Sequence, residues 1–161
     1  MRRILMVIFL VLLFFSAELL LFHVFGYFFK PNLLLLLVMF FNFYFGIRYG
    51  LLSALLAGVL KDSFSTHLFG MHCFAFILCA YAAVILKKYF FHMSIFSFRL
   101  LLLFATVVIY NLSFFFIYSR FVPLSAGEML RFILIPELIS TLIITPFILD
   151  QLKRCALKLF V

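Results

Sequence analysis

The chain has 161 residues, 69% of them hydrophobic and 11% charged, with 27 phenylalanines and a formal net charge of +8. A soluble domain is about half apolar and about a quarter charged, so no water-soluble fold hides this much apolar side chain, and the expected solvent is lipid. The basic residues stand in ones and twos between apolar runs, as the flanks of membrane spans do, which excludes a nucleic-acid-binding patch.

The chain opens with Arg2 and Arg3, followed by a long apolar run. A cleaved signal peptide needs an apolar stretch of about 7–15 residues and a small-x-small site. Here the run continues past Ser16-Ala17, with Phe15 where a small residue is required, so an uncleaved helix over residues 4–25 is expected. Glu18 is its only charge. It either reaches the membrane interface or faces a neighbouring helix, because intramembrane acids are costly and rarely face lipid.

Lys30-Pro31-Asn32 reads as a turn, with proline suited to a first helical turn. Two short apolar runs follow, residues 33–46 and 49–61, the first holding Asn42, with a break expected over Gly46 to Gly50. A full crossing takes about 17–25 residues, so one long tilted span is the rival reading. The distribution of basic residues decides between them. With six spans and the N-terminus inside, Arg2, Arg3, Arg48, Lys87, Lys88, Arg99, Lys153, Arg154 and Lys158 face the cytoplasm, against Lys30, Lys61, Arg120 and Arg131 outside, nine to four. Five spans give six against seven, which is no bias.

In the third run, Gly50, Ala54 and Gly58 form a ladder of small residues at spacings of four, with Ser53 and Ala57 beside it. Such ladders let helix backbones approach in membranes. The ladder serves packing within the chain or a groove for another protein's helix.

Residues 58–72 form a polar island with Lys61, Asp62, Ser63, His67 and His72. A catalytic triad of Asp62, Ser63 and His67 is not favoured, since polar residues at a helix end are more often caps. Metal ligands on one helix face fall four apart, whereas Asp62, His67 and His72 are five apart. Asp62 has three readings: a helix terminator paired with Lys61 or another basic residue, a packing determinant at a protein interface, or a proton or cation site in a transporter. The last needs a second acid in the same bundle, for which Glu18 and Glu137 are the candidates.

A fourth span is expected at 70–86, rich in alanine and stopped by Lys87-Lys88. An aromatic linker over 89–98 suits the headgroup level. The fifth span, 100–118, holds Asn111 and Ser113, which are able to bond across helices. Ser125 and Glu128 fit a capping box. The sixth, 132–149, contains Pro136, Glu137 and Pro146 and leads into an amphipathic basic tail. Cys73, Cys79 and Cys155 form no Cys-x-x-Cys pair and no disulfide framework, and the first two read as small buried hydrophobes.

The spacing of Gly58, Asp62, Ser65 and Gly70 resembles the best-known segment of the MreD family of bacterial rod-shape-determining membrane proteins. A glycine is followed by an aspartate four residues on, a serine three after it and a glycine eight after it. Ala80-Tyr81 in the next helix is similar, as is a last helix with Pro146 near its end before a basic tail. Thr66 stands where members often have glycine, and Thr141 where asparagine is common.

The resemblance implies an all-α polytopic bundle of six helices, similar to the substrate-binding subunits of energy-coupling-factor vitamin transporters. It implies a non-enzymatic protein of the bacterial inner membrane, with no cofactor and no metal; the charge count puts both termini in the cytoplasm. Its partner would be MreC, a single-pass protein, and together they would link MreB filaments to the transpeptidase and glycosyltransferase of side-wall peptidoglycan synthesis. The structural and partner-interface candidates are Gly50, Ala54, Gly58, Asp62, Ser65, Gly70, Tyr81 and Pro146. The alternative is a small-molecule, vitamin-like binding subunit of a membrane transporter.

Overall fold

The computed structural model describes residues 2–26, 29–65, 69–89, 96–120, 127 and 135–160. They form six helices: α1 (Arg2–Phe25), α2 (Leu33–Phe45), α3 (Ile47–Phe64), α4 (Met71–Tyr89), α5 (Phe96–Tyr118) and α6 (Ile135–Phe160), with no strand among the described residues. Thr66, His67, most of the aromatic linker and the expected Ser125–Glu128 capping box lie outside the described residues.

The bundle is built around α2. Its residues from Leu33 to Asn42 are all buried, and it packs against α1, α3, α4, α5 and α6. A helix that is apolar on every side is either enclosed by protein or faces lipid, and α2 is enclosed. Its 13 residues extend about 20 Å at 1.5 Å per residue, less than the roughly 30 Å of a bilayer core. Enclosed in this way, α2 has no need to present a full span to lipid.

Residues 33–64 do not form one long helix. The chain breaks at Gly46, with φ 87° and ψ 172°, a region open in practice only to glycine. The break is tighter than the sequence suggests: Arg48 and Tyr49 already belong to α3. The two helices then lie side by side. A Cβ on Gly50 would sit 2.9 Å from Asn42 Cβ, four residues to either side of the break.

The buried stripe of α3 is Gly50, Ser53, Ala54, Ala57, Gly58 and Asp62. Small residues at three and four apart share one helix face and allow close backbone approach. At Gly58 a Cβ would lie 2.3 Å from Cys73 Cα of α4, so only glycine fits this crossing.

The outer surface is apolar. α1 buries Val7, Val11 and Phe15 and leaves Leu5, Phe9, Leu20 and Val24 exposed, while α6 exposes Ile139, Ile143 and Phe147. Exposed large apolar residues over successive helix faces match a lipid solvent. Among the described residues, Ile4–Phe25 and Met71–Lys88 are long and apolar enough to cross a membrane, and Leu33–Phe45, Leu101–Ile117 and Ile135–Ile148 are shorter apolar helices.

The last helix runs on through Pro146 and the basic tail to Phe160. Other details differ from expectation. Among the described residues, Asn111 and Ser113 bond within their own helix and not across helices: Asn111 donates to Val107 O at 3.0 Å and Ser113 to Ile109 O at 2.6 Å, both in α5. A short polar side chain on a helix finds the carbonyl one turn back more readily than a neighbouring helix. The asparagine that does cross is Asn42, whose Nδ2 donates to Ala80 O of α4 at 2.6 Å. Cys79 is buried, and Cys73 is half-buried.

Candidate functional site

Two polar assemblies meet where α3 ends. They begin at adjacent residues, Lys61 and Asp62, which do not pair with each other. Successive residues on a helix point about 100° apart, so neighbours in sequence serve different neighbours in space.

Asp62 turns to the start of α4. Its Oδ2 accepts from the Gly70 amide at 2.9 Å and the Cys73 amide at 3.1 Å, and its Oδ1 from the His72 amide at 3.0 Å. The first amides of a helix have no partner within it, and a carboxylate there satisfies them and suits the positive end of the helix dipole. Gly70, at φ 99°, has no side chain with which to cap α4, and Asp62 supplies the cap from the preceding helix. Ser65 closes α3 by donating its amide to Asp62 O at 3.3 Å.

Lys61 turns the other way, to α1. Its ammonium donates to Glu18 Oε1 at 2.8 Å and approaches Asn32 Oδ1 at 3.4 Å. It also lies over the rings of Phe76 and Tyr110 at 5.7 and 5.6 Å. The second Glu18 oxygen accepts from the Leu34 amide at 3.3 Å, at the start of α2.

Asn32 joins α2 to α6. Its Oδ1 caps α2 by accepting from the Leu35 amide at 3.1 Å, its Nδ2 donates to Glu137 Oε1 at 2.6 Å, and its amide donates to Thr141 Oγ1 at 3.1 Å. On the α4–α5 side, His72 Nδ1 and the Tyr110 hydroxyl are 2.7 Å apart, and the His72 ring stacks on Phe114.

These groups surround a pocket of about 250 Å³ lined by Glu18, Lys30, Asn32, Lys61, His72, Tyr110, Asn111 and Glu137, with Phe15, Leu19, Phe22, Phe64, Ser65 and Phe114 as its other walls. Although the Lys30 side chain as a whole is exposed, its amine titrates below the ordinary lysine range. The packed chain removes water from the charged form, and the Lys61 ammonium repels it.

The acids that a transporter reading of Asp62 would need, Glu18 and Glu137, lie beside Lys61 and Asn32 rather than beside Asp62. Asp62 is engaged by three amides, and Ser63 donates back to Val59 O of its own helix at 2.7 Å. No cluster of three metal-binding side chains occurs among the described residues. Of the candidate residues, Gly50, Ala54, Gly58 and Asp62 are buried, Ser65, Gly70 and Pro146 are half-buried, and Tyr81 is exposed on α4. The small-residue ladder faces α2 and α4 of this same chain.

The family model for the rod shape-determining protein MreD matches residues 1–150. The chain belongs to the MreD family. MreD proteins are membrane proteins with a role in determining rod shape, a structural function and not a known enzymatic one. No curated protein and no solved structure matches the chain, so the expected likeness to transporter substrate-binding subunits gains no support.

The residues that resemble the MreD segment, Gly58, Asp62, Ser65 and Gly70, all fall at the junction of α3 with α4. The Glu18–Asn32–Lys61–Glu137 network carries no comparable local signal, because each member comes from a different part of the chain. Topology holds the clue. In an alternating bundle, the end of α1, the start of α2, the end of α3 and the start of α6 all lie at one end.

Proposed function

We propose that this MreD protein is a non-enzymatic scaffold of the cell-elongation machinery. It crosses the bacterial inner membrane six times with both termini cytoplasmic. It binds the single transmembrane helix of MreC and helps couple MreB filaments to the transpeptidase and glycosyltransferase of side-wall synthesis. The family match over residues 1–150 carries this reading. The basic residues, nine inside against four outside, support the orientation.

The architecture supports a scaffold over a catalyst. Asp62 caps α4, and the Lys61–Glu18 pair holds α3 to α1. Gly50, Ala54, Gly58, Asp62, Ser65, Gly70 and Pro146 shape the bundle. The small-residue ladder is filled by the chain's own helices, so a partner helix sits elsewhere. Among the candidates, Tyr81 has the exposure to touch it.

The test is co-purification of the full chain with MreC from detergent. Stable capture is expected, with Tyr81→Ala weakening it and Ile143→Ala, on α6, leaving it unchanged. Failure of the wild-type chain to retain MreC sinks the proposal.

A further inference from the structure

The pocket beside Lys61 is built for more than holding helices together. Its buried side has two carboxylates, Glu18 and Glu137, and one ammonium, Lys61, which bonds Glu18. Glu137 is only 6% exposed. Its Oε1 accepts from Asn32 Nδ2, and its Oε2 has no hydrogen-bond partner among the described residues. The Lys61 and Lys30 ammoniums act on Glu137 through space, but neither bonds it, and a ligand N–H donor that reaches Oε2 satisfies a buried carboxylate oxygen that is costly to leave unpaired. Tyr110 and Phe114 line the same space.

The mouth carries the opposite charge. Lys30 is exposed, its amine lies over the Phe22 ring at 5.7 Å, and it has no carboxylate within 4 Å among the described residues. Leu19 and Phe64, which also line the pocket, are 44% and 68% exposed, so on that side its wall continues into the apolar outer surface. At about 250 Å³ the space falls below the roughly 300–1,000 Å³ of cofactor and drug-sized sites. It suits a head group and not a vitamin.

We propose that this pocket binds a zwitterionic head group, with a primary amine placed at Glu137 Oε2 and an anionic group at Lys30. This is the chemistry of phosphatidylethanolamine and of free phosphoethanolamine. The inference does not depend on the scaffold reading, since it rests on the pocket alone.

The test uses the purified full chain in detergent, offered phosphatidylethanolamine, phosphatidylcholine or phosphatidylglycerol, with bound lipid read by native mass spectrometry. Phosphatidylcholine keeps the charge but has no N–H to donate. Wild type is expected to retain phosphatidylethanolamine about tenfold over phosphatidylcholine, equivalent to about 1.4 kcal/mol. Glu137→Gln should erase that preference, and Lys30→Glu should weaken retention of all three lipids. Displacement of the lipid by phosphoethanolamine shows that the head group alone suffices; no displacement assigns the site to the intact lipid. Equal retention of phosphatidylethanolamine and phosphatidylcholine by wild type overturns the proposal. So does an unchanged preference in a cooperatively folding Glu137→Gln. Should that variant not fold, Lys30→Glu decides, because Lys30 makes no hydrogen bond or ion pair among the described residues, and undiminished lipid retention in it also overturns the proposal.

Discussion

Lys61 donates to Glu18 Oε1 at 2.8 Å, tying α3 to α1 across 43 positions of sequence. The two side chains are 16% and 12% exposed, so the pair is neither a surface ion pair nor fully desolvated. Removing one partner of a buried pair costs about 3–5 kcal/mol, because the other charge is stranded. Lys61→Met is therefore expected to lower stability by about 3 kcal/mol, the lower end of that range given the partial exposure. Adding Glu18→Gln should recover part of the loss. The measurement is a double-mutant cycle of thermal unfolding in detergent, and strictly additive losses would show that the two groups are not coupled.

Three glycines allow a graded test of packing against backbone conformation. Gly58→Ala places a Cβ 2.3 Å from the Cys73 backbone. Overpacking ordinarily costs about 1–3 kcal/mol, and here the obstacle is main chain, so the upper end is expected. Gly50→Ala meets Asn42 at 2.9 Å and should cost less. Gly46→Ala meets nothing within 4 Å but strains a glycine-only conformation by about 1–3 kcal/mol. Near-neutral Gly58→Ala, read by melting temperature, would contradict the close α3–α4 crossing.

Asp62 accepts three amide hydrogen bonds at the start of α4. Asp62→Ala leaves those amides without their acceptor, and loss of a cap alone costs about 0.5–2 kcal/mol. With three charge-assisted bonds lost, about 3 kcal/mol is expected. Asp62→Asn keeps one acceptor oxygen and should lose about half as much. Hydrogen exchange should locate the loss at the amides of Gly70, His72 and Cys73; full protection there in Asp62→Ala would refute the cap.

Tyr110 has two separable contributions. Its hydroxyl meets His72 Nδ1 at 2.7 Å, and its ring lies 5.6 Å from the Lys61 amine. Tyr110→Phe removes only the first and should cost about 0.5–1.5 kcal/mol. Tyr110→Ala removes both, opens a cavity and should cost about 3–5 kcal/mol. Equal melting temperatures for the two variants would show that the ring contributes nothing.

Much of this protein was legible before any coordinates. Composition established a lipid-facing helical chain, and the spacing of Gly58, Asp62, Ser65 and Gly70 pointed to the family. The positive residues separated α2 from α3, because a merged helix puts Lys87 and Lys88 on the side opposite Arg2 and Arg3 and destroys the charge bias. The ladder of Gly50, Ala54 and Gly58 announced a close crossing but not its partner. Small residues allow approach by any helix, and nothing in their spacing says whether that helix belongs to the same chain.

What the sequence determined by itself are the properties that depend on local order: apolar runs, the glycine break, the small-residue stripe and the alternation of charge. What only the tertiary structure decided is which polar group meets which. Asp62 and Lys61 are adjacent in sequence yet turn to α4 and α1, since a helix sends successive side chains about 100° apart. Glu18, Asn32, Lys61 and Glu137 are far apart in sequence yet meet at one pocket, because antiparallel packing returns every second helix end to the same side of the bundle.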